Sequence, residues 1–335
     1  MNREYRLKTP RPNKIVGFMI NDICNFSCEY CYQGFTNTKR PLEDSYKLID
    51  KIAGFVEYLN DDETVISVEG GEPTLHFELL EYLFKKVKHL KYDKIILVTN
   101  MSHKENTKKI FEKYPDRKIV LNPSLHVTQV SNKTINELFK NVMYFKEHIL
   151  YVRIMLFYEM KTPPKSLKIF FKMMENNKIK YSVTPVMNLE NTTKYDEIGF
   201  PYPGDEQILI NGEEFNCNEI YKSKYSTKGM LCKNTGVYFF TIDGNLALFN
   251  CVNNREIKNI FKDTYEDIFT MDHRTICNLD HCSTCEFYDR YEPTEDDLDI
   301  VNENTIKLSK NLRWSLDDTF DPDKDLKLGL KIEKF

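Results

Sequence analysis

The first half of the chain alternates between short apolar runs and longer stretches with helical spacing. A run such as 15–20 is continuous and apolar, which is typical of a strand buried on both faces. A stretch such as 42–59 repeats its apolar residues every three or four positions, which predicts an amphipathic helix. The predicted strands are 15–20, 64–68, 94–100, 118–122 (with an extension toward 127), 150–157 and 180–186. The predicted helices are 42–59, 77–87, 104–114, 135–148 and 166–176.

Regular alternation of strands and helices predicts parallel strands joined by crossover helices. We therefore expect an α/β fold in which residues 14–200 form a partial (β/α)6 barrel, an incomplete relative of the eight-unit barrel. In barrels of this kind the chemistry lies at the carboxyl ends of the strands.

The alternation stops near residue 190. Two strand-like runs then flank Asp243-Gly244, which predicts a β-hairpin. We expect residues 201–290 to form a small, hairpin-containing domain held by cysteines, and 291–335 to be a charged C-terminal tail.

Composition limits the class of protein. The chain is 41% hydrophobic and 29% charged, with a net charge of −4, which is typical of a globular protein and gives no reason to expect a nucleic-acid partner. No apolar run is long enough to cross a bilayer, and the N-terminus does not resemble a signal peptide. We therefore expect a cytoplasmic protein without a membrane partner, and its nine cysteines are better explained as metal ligands than as disulfides. With residues 1–13 alone before the first strand, we expect no separate leader-binding module there.

Three cysteines follow the first predicted strand in a C-x3-C-x2-C pattern, at Cys24, Cys28 and Cys31. Closely spaced thiolates hold iron–sulfur clusters, and three thiolates leave one iron of a 4Fe–4S cube without a protein ligand. An open position on a metal is where chemistry takes place. The alternatives are a zinc knuckle and three unrelated buried thiols.

This triplet, with Tyr30 directly before its last cysteine, resembles the signature of the radical S-adenosylmethionine (radical SAM) superfamily. The resemblance implies a SAM-binding 4Fe–4S cluster on Cys24, Cys28 and Cys31, with Tyr30 near the cofactor. It also implies reductive cleavage of S-adenosyl-L-methionine to a 5′-deoxyadenosyl radical, which abstracts hydrogen from a substrate. The electron would come from a donor such as flavodoxin or ferredoxin.

A second motif, Gly70-Gly71-Glu72-Pro73, follows the second predicted strand. Glycine permits close approach of the backbone, and a carbonyl or carboxylate there can accept a hydrogen bond from an ammonium group. The motif resembles the Gly-Gly-Glu-Pro segment that contacts the amino group of the cofactor in the radical SAM family. An ordinary strand–helix turn is the alternative.

Further candidates lie near the ends of later strands. The resemblance implies that Ser124 and Arg153 hold the ribose and carboxylate of the cofactor, and a guanidinium suits a carboxylate because it donates two parallel hydrogen bonds. The alternative for Arg153 is a surface charge at an edge. Asn100 and His126 would face the same end of the barrel, where either could touch cofactor or substrate, although His126 is better explained as a polar strand-end residue.

A second cysteine set comprises Cys232, Cys251, Cys282 and Cys285, separated by 18, 30 and 2 residues. It resembles the twitch domain, a shortened form of the SPASM extension, and so implies a second, auxiliary 4Fe–4S cluster. A structural zinc site is the alternative. Cys277 could replace one of the four ligands, and Cys217 is expected to be an unligated thiol.

The fully ligated auxiliary cluster would exchange electrons rather than bind substrate, which favours net oxidation. We expect the substrate to be a peptide or protein, as in relatives that oxidise or cross-link side chains. The alternative is a small molecule such as an amino sugar or polyol, dehydrogenated or epimerised. A non-catalytic zinc-binding protein would leave the Gly-Gly-Glu turn and the barrel unexplained.

Overall fold

The structure, a computed structural model, describes residues 14–28, 30–31, 40–126, 129, 132–157, 165–186, 207–210, 213–216, 231–233, 236–247, 256–270, 275–276 and 289–291. The strands are β1 (Lys14–Met19), β2 (Thr64–Glu69), β3 (Lys94–Thr99), β4 (Ile119–His126), β5 (Val152–Phe157), β6 (Tyr181–Val186), β7 (Gln207–Ile210), β8 (Glu213–Asn216), β9 (Leu231–Lys233), β10 (Val237–Phe240), β11 (Asn245–Ala247), β12 (Glu256–Asn259), β13 (Thr275–Ile276) and β14 (Asp289–Tyr291). The helices are α1 (Leu42–Leu59), α2 (Phe77–Lys86), α3 (Lys104–Lys113), α4 (Asn132–Tyr144), α5 (Lys165–Asn176) and α6 (Tyr265–Phe269), with short 3-10 turns at Pro73–Leu75, Val87–His89 and Lys146–His148.

The main sheet has nine strands in the order β12-β11-β10-β1-β2-β3-β4-β5-β6. Strands β1 to β6 are mutually parallel and adjacent in chain order, with a helix between each pair. This arrangement confirms the predicted α/β fold with a partial barrel. It also brings the carboxyl ends of these strands to one edge of the sheet, where the cysteine loop and the Gly-Gly turn both begin.

The crossover helices form because their apolar residues make one continuous stripe. In α1 the stripe includes Leu48, Ile52 and Phe55, each with no exposed surface, packed into the core beneath the sheet. The helix ends at Asn60, whose φ of 44° lies in the left-handed region and whose backbone N–H donates to the carbonyl of Val56 at 3.1 Å.

The predicted hairpin is present, and its loop consists of residues 242–244, between the hydrogen-bonded residues Thr241 and Asn245. Thr241 N donates to Asn245 O at 2.9 Å, and Gly244 N donates to Thr241 O at 2.8 Å. Gly244 has a φ of 77°, which is the reason for glycine at this position of a three-residue loop. Arg40, which follows the cysteine segment, forms ion pairs with Asp22 at 3.1 Å and with Asp243 in the hairpin loop.

The hairpin continues the barrel sheet. Strand β10 pairs in parallel with β1, and β11 and β12 add antiparallel strands beyond it. Helix α6 then packs on α1, where the Tyr265 hydroxyl donates to the carbonyl of Lys51 at 3.2 Å. In the part of the chain that the structure describes, no helix is long and apolar enough to cross a membrane.

Candidate functional site

The three cysteines of the first motif lie on the loop that leaves the carboxyl end of β1. All three side chains are half-buried, and the turn between the last two is closed by Cys31 N donating to Cys28 O at 3.0 Å. The pKa of Cys28 is raised to about 12, mainly by burial and then by the nearby charges of Cys31 and Cys24. The three thiols are therefore close enough to affect one another, and a cation is needed to hold all of them as thiolates.

The Gly-Gly turn packs against the start of the cysteine loop and forms backbone hydrogen bonds with it. Gly71 N donates to Asn21 O at 2.9 Å, and Glu72 N donates to Ile23 O at 2.7 Å. A Cβ on Gly71 would lie 1.9 Å from the oxygen of Ile23, and one on Gly70, whose φ is 132°, would lie 2.5 Å from the oxygen of Asn21. Both glycines are thus required by the close approach of two backbone segments.

The Glu72 side chain points into the protein and binds the end of β3. One of its oxygens accepts from the Thr74 hydroxyl at 2.5 Å, the Thr74 N–H at 3.1 Å and the Thr99 hydroxyl at 2.6 Å. The other accepts from Asn100 N at 2.6 Å. The residue is 1% exposed, and burial raises the pKa of its carboxyl although these donors act against the shift.

Because its hydrogen-bonding capacity is filled, the Glu72 carboxylate has a different role from the backbone carbonyls of the turn. The carboxylate holds the turn against β3, whereas the carbonyl oxygens of Gly70 and Gly71 receive no hydrogen bond from any described residue. These carbonyls, rather than the carboxylate, are the acceptors that the turn can offer to an ammonium group.

Asn100 links the end of β3 to the cysteine loop. Its side-chain nitrogen donates to Asn25 Oδ1 at 2.9 Å, and Asn25 in turn donates to the hydroxyl of Ser102 at 2.9 Å. The pKa of Cys24 is raised by burial, while hydrogen bonds that include one from the Asn100 side chain oppose the rise. Asn100 therefore contacts the cysteine loop itself.

Ser124 on β4 and Arg153 on β5 are direct partners in the sheet register. Both are buried, at 5% and 9% exposure, so the alternative of a surface charge at an edge is wrong for Arg153. The structure therefore places the two residues side by side, with Ser124 near the carboxyl end of β4 and Arg153 as the second residue of β5.

Sequence reasoning missed Glu69, the last residue of β2. Burial raises the pKa of its carboxyl, and the positive charge of Arg153 opposes that rise, so the two side chains lie within electrostatic reach. Glu69 accepts from the Ser67 hydroxyl at 3.2 Å and remains partly exposed. A charged residue ending an otherwise apolar strand, directly before the two glycines, is the signal that could have identified it.

His126 lies at the end of β4 and meets the cysteine loop. Its Nδ1 is 3.0 Å from the Tyr30 hydroxyl, and the two rings are inclined by only 17°. Burial, and then the charge of Arg153, lower the pKa of His126 to about 4, so the imidazole is neutral near pH 7. The structure thus brings His126 to Tyr30, which is the aromatic residue of the cysteine motif.

Three thiols on one short loop are the donor set by which a protein holds an iron–sulfur cluster with one iron left open. Among the described residues no three His, Cys, Asp or Glu side chains are grouped closely enough to hold a single metal ion. The Nδ2 of Asn21, buried below the loop, also has no partner among the described residues, as expected where a bound group supplies the acceptor.

The second cysteine set lies largely outside the described residues. Cys232 is in β9, opposite Thr275 of β13 and Arg290 of β14. Cys251, Cys282 and Cys285, together with Cys217 and Cys277, lie outside the described ranges. The ligands of an auxiliary centre therefore stay a prediction from the sequence, as do the domain limits at 201–290 and the tail at 291–335.

Comparison with known proteins agrees with this geometry. Residues 19–158 match the family model of the Radical SAM superfamily. No curated protein matches the sequence. Among solved structures, native anSMEcpe with bound AdoMet has a TM-score of 0.50 and 13% identity over 77% of this chain and 81% of its own, and it shares the fold.

Two further solved structures are more distant by TM-score. Native anSMEcpe with bound AdoMet and Cp18Cys peptide has a TM-score of 0.49 at 13% identity, over 77% of this chain and 80% of its own. BtrN in complex with AdoMet and 2-DOIA has a TM-score of 0.33 at 13% identity, over 84% of this chain and 94% of its own. The family match and the cysteine loop at the carboxyl edge of a parallel sheet identify residues 19–158 of this chain as a radical SAM domain.

Proposed function

We propose that this protein is a radical SAM oxidoreductase that acts on a peptide or protein substrate. The observation that carries the proposal is the docking of three half-buried thiols on the Gly-Gly turn, at the carboxyl edge of the parallel sheet. With cluster and cofactor bound, the site would supply a 5′-deoxyadenosyl radical for hydrogen abstraction from the substrate. The protein's own contribution is to place these groups and to exclude water.

The residues of the site divide this work. Cys24, Cys28 and Cys31 would hold the 4Fe–4S cluster, with one iron open to the cofactor. The carbonyls of Gly70 and Gly71 would accept from its ammonium group.

The carboxylate and ribose of the cofactor would be held from β4 and β5. The guanidinium of Arg153 suits a carboxylate, and Ser124 stands beside it in the sheet register. Glu69 lies within electrostatic reach of Arg153, so the pocket offers an acceptor as well as donors.

The second part of the proposal is an auxiliary 4Fe–4S cluster on Cys232, Cys251, Cys282 and Cys285. A fully ligated cluster can take an electron from a substrate radical, so it favours net oxidation. The electron that starts the reaction would come from a flavodoxin or ferredoxin in the cytoplasm, where thiols remain reduced.

Anaerobic reconstitution followed by iron and sulfide analysis tests both clusters. About eight irons per chain are expected in the intact protein and about four in the Cys24/Cys28/Cys31→Ala variant. Variants of Cys282 and Cys285 should also keep about four irons and should lose oxidation of the substrate. One zinc in place of the second cluster would remove the auxiliary electron acceptor from the proposal.

Formation of 5′-deoxyadenosine tests the chemistry and the substrate class. Short peptides and a panel of amino sugars and polyols are each incubated with reduced enzyme and S-adenosylmethionine. Peptide-dependent 5′-deoxyadenosine with a loss of two hydrogens from the peptide is expected. Turnover that depends on a sugar or polyol instead would replace the peptide assignment, and no 5′-deoxyadenosine under reducing conditions would overturn the radical reaction.

A further inference from the structure

The His126 imidazole contacts both spacers of the cysteine motif, which are the residues between Cys24 and Cys28 and those between Cys28 and Cys31. Phe26, between the first two cysteines, meets the His126 ring edge-on with centroids 6.0 Å apart and an interplanar angle of 83°. Tyr30, between the last two cysteines, lies nearly parallel to the same ring and reaches its Nδ1 through the hydroxyl at 3.0 Å. His126 is about a hundred positions away along the chain, so the contact is purely tertiary.

A second side chain beyond β4 reaches the same loop. The Gln129 amide accepts from Ser27 N at 3.4 Å and donates to Ser27 O at 3.1 Å, so it binds both backbone groups of one residue, as a neighbouring strand would. Ser27 lies in the first spacer, next to Phe26. The loop is thus held at three places by the segment at the end of β4, while the Gly-Gly turn supports it from the other side.

We propose that His126 is a positioning residue that sets the spacing of Cys24, Cys28 and Cys31 by holding Phe26 and Tyr30. The cluster as the ligand of this loop rests on the proposed function. The contacts join side chains of the protein itself, so they can be tested independently of the metal. Side chains that orient metal ligands in this way commonly change metal affinity 10–100-fold when they are replaced.

The protonation state of the imidazole suits this role. A neutral imidazole can either accept the Tyr30 hydroxyl hydrogen at Nδ1 or donate to the hydroxyl oxygen, depending on its tautomer, whereas a protonated imidazole can only donate. Burial, and then the charge of Arg153, keep the ring neutral near pH 7, so both directions of the bond are available.

The first test uses metal-free protein and the reactivity of its thiols. We compare wild type, His126→Leu, Tyr30→Phe and His148→Leu, where His148 is a matched control because it also stacks on an aromatic ring, Phe111, at 3.9 Å but is exposed. Alkylation of each cysteine is followed by peptide mass spectrometry. His126→Leu should accelerate alkylation of the three half-buried loop thiols several-fold, because a loop held by fewer contacts opens more often, and His148→Leu should leave it unchanged.

The second test uses reconstituted protein and the loss of iron to a chelator. His126→Leu should lose the loop cluster about tenfold faster than wild type. The double variant His126→Leu/Tyr30→Phe should lose iron more slowly than the product of the two single effects predicts, because the Tyr30 hydroxyl contacts the imidazole as well as Cys28. Fully multiplicative effects would overturn the link between the two residues.

The two tests separate the failure of this inference from the failure of the proposed function. Wild-type alkylation rates in His126→Leu would overturn the positioning role whatever metal the protein binds. Absence of an iron–sulfur cluster in wild type would remove the proposed function, while the alkylation rates would still decide the role of His126. If His126→Leu does not fold, as judged by circular dichroism, Tyr30→Phe removes one hydroxyl and should still accelerate alkylation of Cys28 and Cys31 several-fold.

Discussion

Glu69 and Glu72 stand on either side of the same two glycines but belong to two different regions of the site. Glu72 is 1% exposed and accepts from two hydroxyls and two backbone N–H groups. Glu69 is partly exposed, accepts within the described part of the chain from Ser67, and faces the charge of Arg153. One region is a closed polar scaffold, and the other keeps acceptors and a cation in reach of a ligand.

The difference shows how a binding loop is supported. A buried charge is stable only when its hydrogen-bonding capacity is filled, and a filled carboxylate can no longer serve a ligand. The β2–β3 side therefore organises the cysteine loop through Glu72 and Asn100. The β4–β5 side carries Ser124 and Arg153, the residues proposed to hold the cofactor.

The largest effect is expected for Glu72→Leu. The replacement leaves buried donors of Thr74, Thr99 and Asn100 without their acceptor, which should lower the free energy of unfolding by about 4 kcal/mol. Glu69→Leu is the matched control and should cost less, about 2 kcal/mol, since it removes one hydrogen bond and the partly exposed charge that faces Arg153. Denaturant unfolding of the metal-free proteins measures both, and equal losses would contradict the division into scaffold and binding regions.

A smaller effect is expected where the loop meets the turn. Gly71→Ala places a Cβ against the backbone oxygen of Ile23. The replacement should lower the free energy of unfolding by about 3 kcal/mol and should also reduce cluster uptake. Gly54→Ala is the control, because its Cβ would meet the end of the Tyr265 side chain, which can move, and alanine favours the helix. Its stability should stay within about 1 kcal/mol of wild type. Equal losses in the two variants would show that the turn does not depend on this close approach.

The smallest effect concerns the pH dependence of stability, which tests His126 at the end of β4. The folded pKa of His126 is about 4, below its ordinary value of 6.5, so the unfolded chain binds more protons between these two values. The stability from the neutral ring is therefore complete above about pH 6.5 and decreases as the pH falls toward 4, by about 2 kcal/mol after allowance for partial exposure.

The measurement is the free energy of unfolding from pH 7 to pH 4 for wild type and His126→Leu. The difference between the two proteins should shrink toward pH 4, because the variant lacks this titration. Carboxyls such as Glu69 and Glu72 titrate in both proteins and cancel in the difference. A difference that does not change with pH would contradict a depressed pKa for His126.

Local patterns were sufficient for much of this protein. Apolar periodicity predicted β1 to β6 and α1 to α5 to within a few residues, because each element buries a contiguous face. Asp243-Gly244 predicted the hairpin, since glycine supplies a backbone conformation that other residues rarely adopt. The spacing of Cys24, Cys28 and Cys31 also identified the loop, because these three cysteines are close in sequence.

Long-range contacts were outside the reach of those patterns. A lone histidine at a strand end has no signature, so the contacts of His126 with Phe26 and Tyr30 appeared only when β4 was placed opposite the cysteine loop. The role of Glu69 depended in the same way on the position of Arg153 across the sheet.

Gly17 illustrates the difference between what local sequence patterns determine and what tertiary packing decides. The sequence shows a glycine in the middle of an apolar strand without giving its reason. In the structure Gly17 lies opposite Phe239 of β10, and a Cβ there would come within 2.4 Å of that ring. Periodicity determined that β1 is a buried strand, because burial repeats along the local chain. Its neighbour, more than two hundred residues away, was decided by tertiary packing, because that choice depends on which surfaces fit together in space.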